Sequence, residues 1–288
     1  MELTPVELRQ GLWLKREDLF RDLVSGVNGA KYRACRYLIG RAKESGHHHV
    51  VSAASVLSPQ SAMASVIADQ FDMKCTVIVG GTTPEKAIAH KAIRIAADHG
   101  AEITAIKVGY NPALQGAARK FAEQPGVWRL PYGITTDEDV EQFMQVGAPQ
   151  TMNLPDEIRT LVLPFGSGNT ACGVLYGLHD FRPSYLEQVV LVGIGPDRLG
   201  WAERRLASVG RTLLPEGVEL LHVPLHPWFA TYGDKMPEKW DGIDLHPTYE
   251  GKIVRFMNQA APEYWTRRDG TTCLWIVGGP LAQTLVMG

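Results

Sequence analysis

The chain has 288 residues, of which 45% are hydrophobic and 21% charged, and this composition excludes a disordered, collagen-like or coiled-coil protein. Its 29 basic and 31 acidic residues leave a net charge of -2, which does not indicate a nucleic-acid or membrane binder. No apolar run approaches the roughly 20 residues that cross a bilayer. The start of the chain lacks signal-peptide features and no CxxC pair occurs, so we expect a reduced, cytoplasmic protein without a disulfide framework.

Short apolar runs alternate with helical patterns along most of the chain. A first series predicts strands at 49–55, 74–80, 102–108 and 127–130, and helices at 58–70, 84–99 and 112–123. A second series predicts strands at 160–165, 188–194 and 272–277, helices at 170–179, 199–209 and 246–259, and an irregular stretch at 210–247. This rhythm is typical of parallel sheets covered by helices. We expect a two-lobed α/β fold, with a large domain of residues 1–44 and 131–288 and a small domain of residues 45–130.

A lysine follows a glycine-rich loop near the start of the chain. Lys31 comes directly after Asn28-Gly29-Ala30, where a helix is expected to begin. The positive end of a helix can lower the pKa of a lysine and leave its amine nucleophilic. Taken alone, the same pattern also fits an ordinary surface lysine.

The segment Gly166–Thr170 lies between an apolar strand and a helix rich in small residues. Its glycines allow backbone N–H groups to converge on an anion, and the helix start adds partial positive charge. The pattern favours a phosphate cradle over a plain turn capped by Asn169 or Thr170. Because the lysine of a nucleotide P-loop is absent, a phosphate carried by a cofactor fits better than a transferable one.

Four weaker motifs were considered with these. Residues 193–195 (Gly-Ile-Gly) mimic a dinucleotide-binding turn, but the spacing to the next glycine is too long. The corner Ser58–Gln60, followed by Ser61, could cap a helix, or its hydroxyls and free N–H groups could hold a substrate carboxylate. Tyr249 and Glu250 open the last predicted helix and need no function on their own. The triplet 47–49 (His-His-His) predicts a solvated turn, because consecutive side chains cannot readily face one metal ion.

In their order along the chain, these segments resemble the fold-type II pyridoxal-phosphate (PLP) enzymes, the tryptophan synthase β-like family. Residues 12–19 (LWLKREDL) look most like the branch of 1-aminocyclopropane-1-carboxylate deaminase and D-cysteine desulfhydrase. The resemblance runs from about residue 12 to residue 279. It implies PLP as cofactor, a small amino-acid substrate, no membrane partner and a homodimer. Nucleic acid is not expected as a partner, and only its role as a carrier of the substrate stays open.

The resemblance also implies roles for individual residues. Lys31 would form the Schiff base with PLP and move the proton at Cα. Glu250 would face the pyridine nitrogen and keep it protonated, which favours the ring as an electron sink. Ser58, Tyr232 and Tyr249 would contact the substrate. No metal site is implied, and the residues that would bind the cofactor besides Lys31 and Glu250 are Asn28, Gly166, Ser167, Gly168, Asn169 and Thr170.

Three departures from the family pattern bear on the reaction. Pro59 stands where the branch has an amide residue, which removes a side-chain donor and a backbone N–H. Ala34 stands where the branch has a second lysine, for which Arg33 or Arg36 could substitute. The stretch between residues 232 and 249 is shortened, which predicts a more open pocket. A carboxylate held in the plane of the cofactor ring directs the chemistry to Cα–H, whereas a loosened one favours decarboxylation.

The sequence therefore predicts a PLP-dependent lyase or deaminase of amino-acid metabolism that acts on a small amino acid by elimination or deamination. One alternative is a PLP-dependent decarboxylase, whose amino acid could be linked to a larger carrier such as a modified nucleobase. A second alternative is a non-catalytic binding or scaffold protein with the same fold.

Overall fold

The computed structural model describes residues 2–225, 229–231, 233–260 and 270–281. The chain forms two compact units. The first unit comprises residues 1–20, 28–31 and 137–280, and the second comprises residues 21–27, 32–136 and 281–288. The second unit thus takes in residues 21–27, 32–44, 131–136 and 281–288, which were expected in the large domain. The domain boundaries given above stay a prediction.

The first unit is built on a six-stranded sheet with the strand order β1-β2-β12-β7-β8-β9. Strands β1 and β2 pair antiparallel, and the pairs from β2 to β9 are parallel. A short antiparallel ribbon of β10 and β11 lies in the same unit. The bounds are β1 Val6–Arg9, β2 Leu12–Arg16, β7 Thr160–Phe165, β8 Gln188–Gly193, β9 Glu219–Pro224, β10 Lys239–Trp240, β11 Ile243–Asp244 and β12 Thr272–Ile276.

Apolar clusters on the two faces of this sheet form the core of the first unit. Leu161 and Leu163 of β7 belong to one cluster, whereas Val162 between them belongs to the other. Side chains of a strand alternate between faces, so a continuous apolar strand is buried on both. The helices of this unit are α6 Val140–Met144, α7 Asn169–Leu178, α8 Leu199–Ala207 and α9 Glu250–Ala260.

The second unit contains a four-stranded parallel sheet with the order β5-β4-β3-β6. Its strands are β3 His49–Ala53, β4 Lys74–Gly80, β5 Glu102–Ile106 and β6 Val127–Arg129. Its helices are α1 Ala30–Glu44, α2 Gln60–Gln70, α3 Pro84–Ala87, α4 Lys91–Asp98 and α5 Asn111–Phe121, where the first two residues of α1 belong to the first unit.

The predicted fold class is confirmed, and two local predictions were wrong. The single helix expected at 84–99 is two helices: α3 ends at Ala87, and His90, which precedes α4, has an extended backbone with ψ of 131°. The break starts α4 in a register that buries Ile93 and Ile95. The stretch 210–247, expected to be irregular, contains strand β9 and the β10–β11 ribbon. Strand β9 is an edge strand with half-buried side chains, so its sequence lacks the apolar run of a central strand.

Two histidines of the triplet make polar contacts within the protein, and the cysteines are buried. His47 Nδ1 lies 3.1 Å from the Ala42 carbonyl oxygen, and His49 Nε2 lies 2.9 Å from Thr76 Oγ1. Within the described ranges, no three His, Cys, Asp or Glu side chains are grouped so that they could hold a metal ion. The four cysteines are buried free thiols. Among the described helices, none has the length and apolar character to cross a membrane.

Candidate functional site

Lys31 is fixed at the start of α1 by backbone contacts with the end of β12. The Ala30 N–H donates to the Val277 carbonyl at 2.8 Å, and the Gly29 N–H donates to the Phe20 carbonyl at 2.9 Å. Gly29 has φ of +92°, and a Cβ there would collide with the Val277 carbonyl oxygen. The local sequence therefore needs glycine at this point, because only glycine allows both the conformation and the close approach.

The loop before Lys31 is held by its own asparagine. The Asn28 side-chain oxygen accepts a hydrogen bond of 2.7 Å from the Gly279 N–H, beyond the end of β12. The Lys31 ammonium lies 5.8 Å from the centre of the Tyr249 ring and makes no ion pair with any described residue. An amine that is positioned by its backbone and lacks a carboxylate partner can react with a carbonyl compound.

The segment Gly166–Thr170 connects β7 to α7 in the way the sequence predicted. Gly168 has φ of +87°, and a Cβ there would lie 2.7 Å from Trp201 Cζ3. The first intrahelical bond runs from the Cys172 N–H to the Gly168 carbonyl at 2.8 Å. The N–H groups of the first turn therefore have no acceptor within the helix, and such groups bind phosphate in many proteins.

Glu250 begins α9 and is fully buried. Its Oε1 accepts a hydrogen bond of 2.7 Å from the Val277 N–H. Its Oε2 is buried without a hydrogen-bond partner in the described part of the chain. Burial raises the pKa of this carboxyl to about 8, against the opposing effect of backbone N–H groups. A buried acceptor without a donor indicates that a group outside the chain completes the site.

Tyr249 links these parts of the first unit. A Cβ built on Gly166 would lie 3.4 Å from Tyr249 Cε1, so the ring borders the 166–170 loop as well as Lys31. The His246 ring also packs against Tyr249, with the two ring centres 4.8 Å apart. Tyr232, the other predicted active-site tyrosine, lies outside the described residues.

The corner Ser58–Gln60 lies in the second unit, at the start of α2. The Ser58 N–H donates to the Ser55 carbonyl at 2.8 Å, and the Gln60 N–H lies 3.3 Å from Ser58 Oγ. Pro59 has no N–H to donate. The backbone donors of the corner are therefore used inside the corner itself.

The Gln60 side chain is also used within the second unit. Its amide nitrogen lies 3.4 Å from both Ser52 Oγ and the Pro131 carbonyl oxygen, and its oxygen accepts from the Gly133 N–H at 3.0 Å. The Ser61 hydroxyl, one residue further on, is fully buried and has no partner among the described residues. Within residues 58–60 the Ser58 hydroxyl hydrogen is left as a donor for a ligand, and the Ser61 hydroxyl beside them is a second one.

Arg33 and Arg36, which could substitute for a lysine at position 34, both have other interactions. The Arg36 guanidinium lies 5.0 Å from the centre of the Phe71 ring and donates to Gln70. Arg33 is buried and has polar interactions of its own. The sequence did not predict two other groups of this neighbourhood, which are His246, packed against Tyr249, and Lys235, bonded to Thr248. Their one signal was the position of His246, three residues before Tyr249.

Residues 2–215 match the family model described as pyridoxal-phosphate dependent enzyme. The chain belongs to this family, is a PLP-dependent enzyme and has pyridoxal 5′-phosphate as its cofactor. The orphaned Glu250 oxygen fits a protonated pyridine nitrogen, and the cradle around Gly168 fits a phosphate. The predicted family, fold class and cofactor are confirmed. The roles of individual residues stay predictions.

Relatives of the chain include enzymes named for two different reactions. The chain is 31% identical to the O-seryl-dTMP PLP-dependent decarboxylase of Salmonella phage ViI, with 94% of this chain and 79% of that protein covered. It is 23% identical to a 1-aminocyclopropane-1-carboxylate deaminase of Allorhizobium ampelinum, covering 85% and 80%. A solved homologue of this deaminase has a TM-score of 0.69 at 19% identity, covering 97% of this chain and 90% of its own, and so shows the fold alone.

Proposed function

We propose that this protein is a PLP-dependent decarboxylase of an α-amino acid that is joined through its side chain to a nucleotide. The relative from Salmonella phage ViI is named for a reaction of this kind, and the similarity to it covers 94% of the chain. That similarity supports the substrate class. The observation that supports decarboxylation as the reaction is the hydrogen bonding of the Ser58–Gln60 corner.

Decarboxylation requires a substrate carboxylate that is not held by strong hydrogen-bond donors, and this requirement separates it from elimination. In the family that this chain resembles, the corner at 58–60 is expected to hold the substrate carboxylate. Here the Ser58 N–H and the Gln60 N–H are used internally, and Pro59 supplies no donor. A carboxylate without strong donors is less stabilised as an anion, so losing it as carbon dioxide becomes easier.

The residues of the first unit would serve the reaction as follows. When bound, PLP supplies an electron-withdrawing ring that stabilises negative charge at Cα. Lys31 Nζ would carry the cofactor and give Cα the proton that replaces the departing carboxyl group. Glu250 would hold the pyridine nitrogen, and the N–H groups of residues 166–170 would bind the phosphate. A serine joined through its oxygen would leave carbon dioxide and a 2-aminoethoxy group on the carrier.

Elimination or deamination of a small amino acid is the second candidate. The similarity to 1-aminocyclopropane-1-carboxylate deaminases over 85% of the chain favours it. Lys31 and Glu250 would serve either reaction, because both reactions develop negative charge at Cα. The two candidates therefore differ in their products and in how the substrate carboxylate is held.

The test is product analysis with PLP-loaded protein. One reaction receives O-seryl-dTMP and another receives 1-aminocyclopropane-1-carboxylate, and carbon dioxide, ammonia and keto acid are measured in each. We expect carbon dioxide from the nucleotide-linked serine, with its nitrogen retained on the carrier. Ammonia and a keto acid as the products from either substrate, without carbon dioxide, would overturn the proposal. Lys31→Ala protein is the control for uncatalysed release.

A further inference from the structure

A row of polar side chains extends from Lys31 through the first unit to an exposed lysine. The Lys31 ammonium lies 5.8 Å from the centre of the Tyr249 ring, and the His246 ring centre lies 4.8 Å from that of Tyr249. His246 Nδ1 accepts a hydrogen bond of 3.2 Å from the Thr248 N–H. The Lys235 ammonium donates to Thr248 Oγ1 and completes the row.

His246 is a neutral donor in this row. Burial, together with the ammonium groups of Lys235 and Lys31, lowers its pKa to about 4. At neutral pH the ring is therefore uncharged. Because Nδ1 accepts from the Thr248 N–H, the ring proton is on Nε2, which can donate to a ligand.

Lys235 gives the row an exposed positive end. Its side chain is exposed and makes no ion pair with a described residue. The nearby Asp234 carboxylate accepts from the Thr231 N–H at 2.7 Å, and its charge acts on Lys252. Lys252 in turn donates to the Thr231 carbonyl. Two ammonium groups, of Lys235 and Lys252, near one carboxylate leave a net positive charge, which attracts an anion.

We propose that Lys235 and His246 form a subsite that binds the phosphate monoester of a nucleotide-linked substrate. This inference rests on the proposed function, because it assigns the part of that substrate remote from the reacting carbon. The substrate amine must reach Lys31, and Lys235 lies at the other end of the row. An ammonium is unsuited to the α-carboxylate of a decarboxylase substrate, because pairing would stabilise the group that must leave. A phosphate monoester is a stronger ligand for the Lys235 ammonium, because it carries nearly two negative charges and three acceptor oxygens.

The test is calorimetric binding to PLP-loaded protein, which requires no turnover. The probes are thymidine 5′-monophosphate, thymidine and L-serine, each titrated into wild type, Lys235→Gln, Lys235→Arg and Lys239→Gln. Lys239 is the matched control, an exposed lysine in the same segment that pairs with Asp244 at 3.0 Å. We expect Lys235→Gln to weaken the monophosphate about tenfold, the loss of one charge-assisted hydrogen bond. Thymidine binding should not change, and Lys235→Arg should restore most of the affinity.

Several outcomes would overturn the subsite. Equal affinity of wild type for the monophosphate and the nucleoside would do so, as would equal weakening by Lys239→Gln. If Lys235→Gln weakened L-serine instead, Lys235 would bind the carboxylate. If it weakened PLP itself in a titration of the cofactor-free protein, Lys235 would belong to the cofactor site.

Kinetic measurements distinguish a failure of the subsite proposal from a failure of the decarboxylase proposal. Carbon dioxide released from O-seryl-thymidine and O-seryl-dTMP with equal KM would overturn the subsite and leave the decarboxylase intact. Monophosphate binding that depends on Lys235, without carbon dioxide from either compound, would support the subsite and overturn the reaction.

Discussion

The loop and helix starts of the first unit differ from the corner that begins α2 in how their polar groups are used. Glu250 Oε2 is buried without a donor, and Lys31 has no carboxylate partner among the described residues. In the second unit the side chain of Gln60 and the N–H of Ser58 are already bonded to their own unit. The first region therefore leaves a buried carboxyl oxygen and an amine for a ligand, whereas in the second the Gln60 amide and the Ser58 N–H are already bonded and the Ser61 hydroxyl is left without a partner among the described residues.

Under the proposed function, this difference would separate two tasks. Groups that hold and activate PLP are needed whichever bond at Cα breaks. The bond that breaks depends on how the substrate carboxylate is held, which we propose to depend on the corner at Ser58–Gln60. We expect the loss of donors at Pro59 to change the reaction without changing PLP binding. The variants below test each side of this comparison, from the largest expected effect to the smallest.

Lys31→Ala removes the amine on which the first region depends. We expect turnover to fall about 10³-fold or more, because both covalent attachment and proton transfer at Cα are lost. Borohydride reduction followed by peptide mapping should label Lys31 in wild type and no lysine in the variant. The exposed Lys239→Ala is the control and should keep both label and activity. A reducible cofactor bond that survived in Lys31→Ala would show that another lysine carries PLP.

Glu250→Gln tests whether the buried carboxyl awaits a donor. In the cofactor-free protein it stays protonated to about pH 8, whereas in the unfolded chain it ionises from about 4.5. The folded state therefore loses stability as pH rises between these values, on the order of 5 kcal/mol in all. We expect the cofactor-free variant to exceed wild type in free energy of unfolding at pH 8 and to match it at pH 4.

The same variant should bind PLP more weakly, because glutamine cannot pair with a pyridinium charge. Denaturant unfolding at both pH values and a PLP titration give the two readouts. The exposed Glu203→Gln is the control and should change neither. An unfolding free energy that is independent of pH in this range for wild type would contradict the account of Glu250.

Gly168→Ala tests the phosphate cradle. Its φ of +87° and the 2.7 Å approach of a Cβ to Trp201 predict a loss of about 2–3 kcal/mol in unfolding free energy. PLP affinity should fall about tenfold as the loop shifts. Gly210→Ala is the control that has the backbone strain without the steric clash, because Gly210 has φ of +73° and no atom within 4 Å of its Cβ position. It should lose about 1 kcal/mol and keep PLP affinity. Equal PLP affinity in Gly168→Ala and wild type would argue against the cradle.

Pro59→Asn returns an amide and an N–H to the corner. We expect the ratio of carbon dioxide to ammonia to fall about tenfold, equivalent to about 1.4 kcal/mol between the two barriers. Pro84→Asn, at the first turn of α3 in the same unit, is the matched control and should leave the ratio unchanged. An unchanged ratio in Pro59→Asn would mean that the corner does not direct the reaction.

Local pattern predicted much of the fold and the strand-turn-helix geometry of the candidate phosphate loop. The 166–170 loop was predictable because a strand, a glycine turn and a helix follow each other directly. The orphaned oxygen of Glu250 was not, since it depends on Val277, which is distant in sequence and adjacent in the fold. The inward turn of the Gln60 amide depends in the same way on Gly133. Edge strand β9 escaped prediction because its half-buried residues carry little hydrophobic signal.

The most direct test of the central claim follows the carboxyl carbon of the substrate. PLP-loaded protein receives O-seryl-dTMP with an isotopic label in that carbon, and the labelled products are separated after a single turnover. The account predicts that the label leaves as carbon dioxide while the nucleotide retains an amine. Label recovered in pyruvate, together with free ammonia, would contradict it.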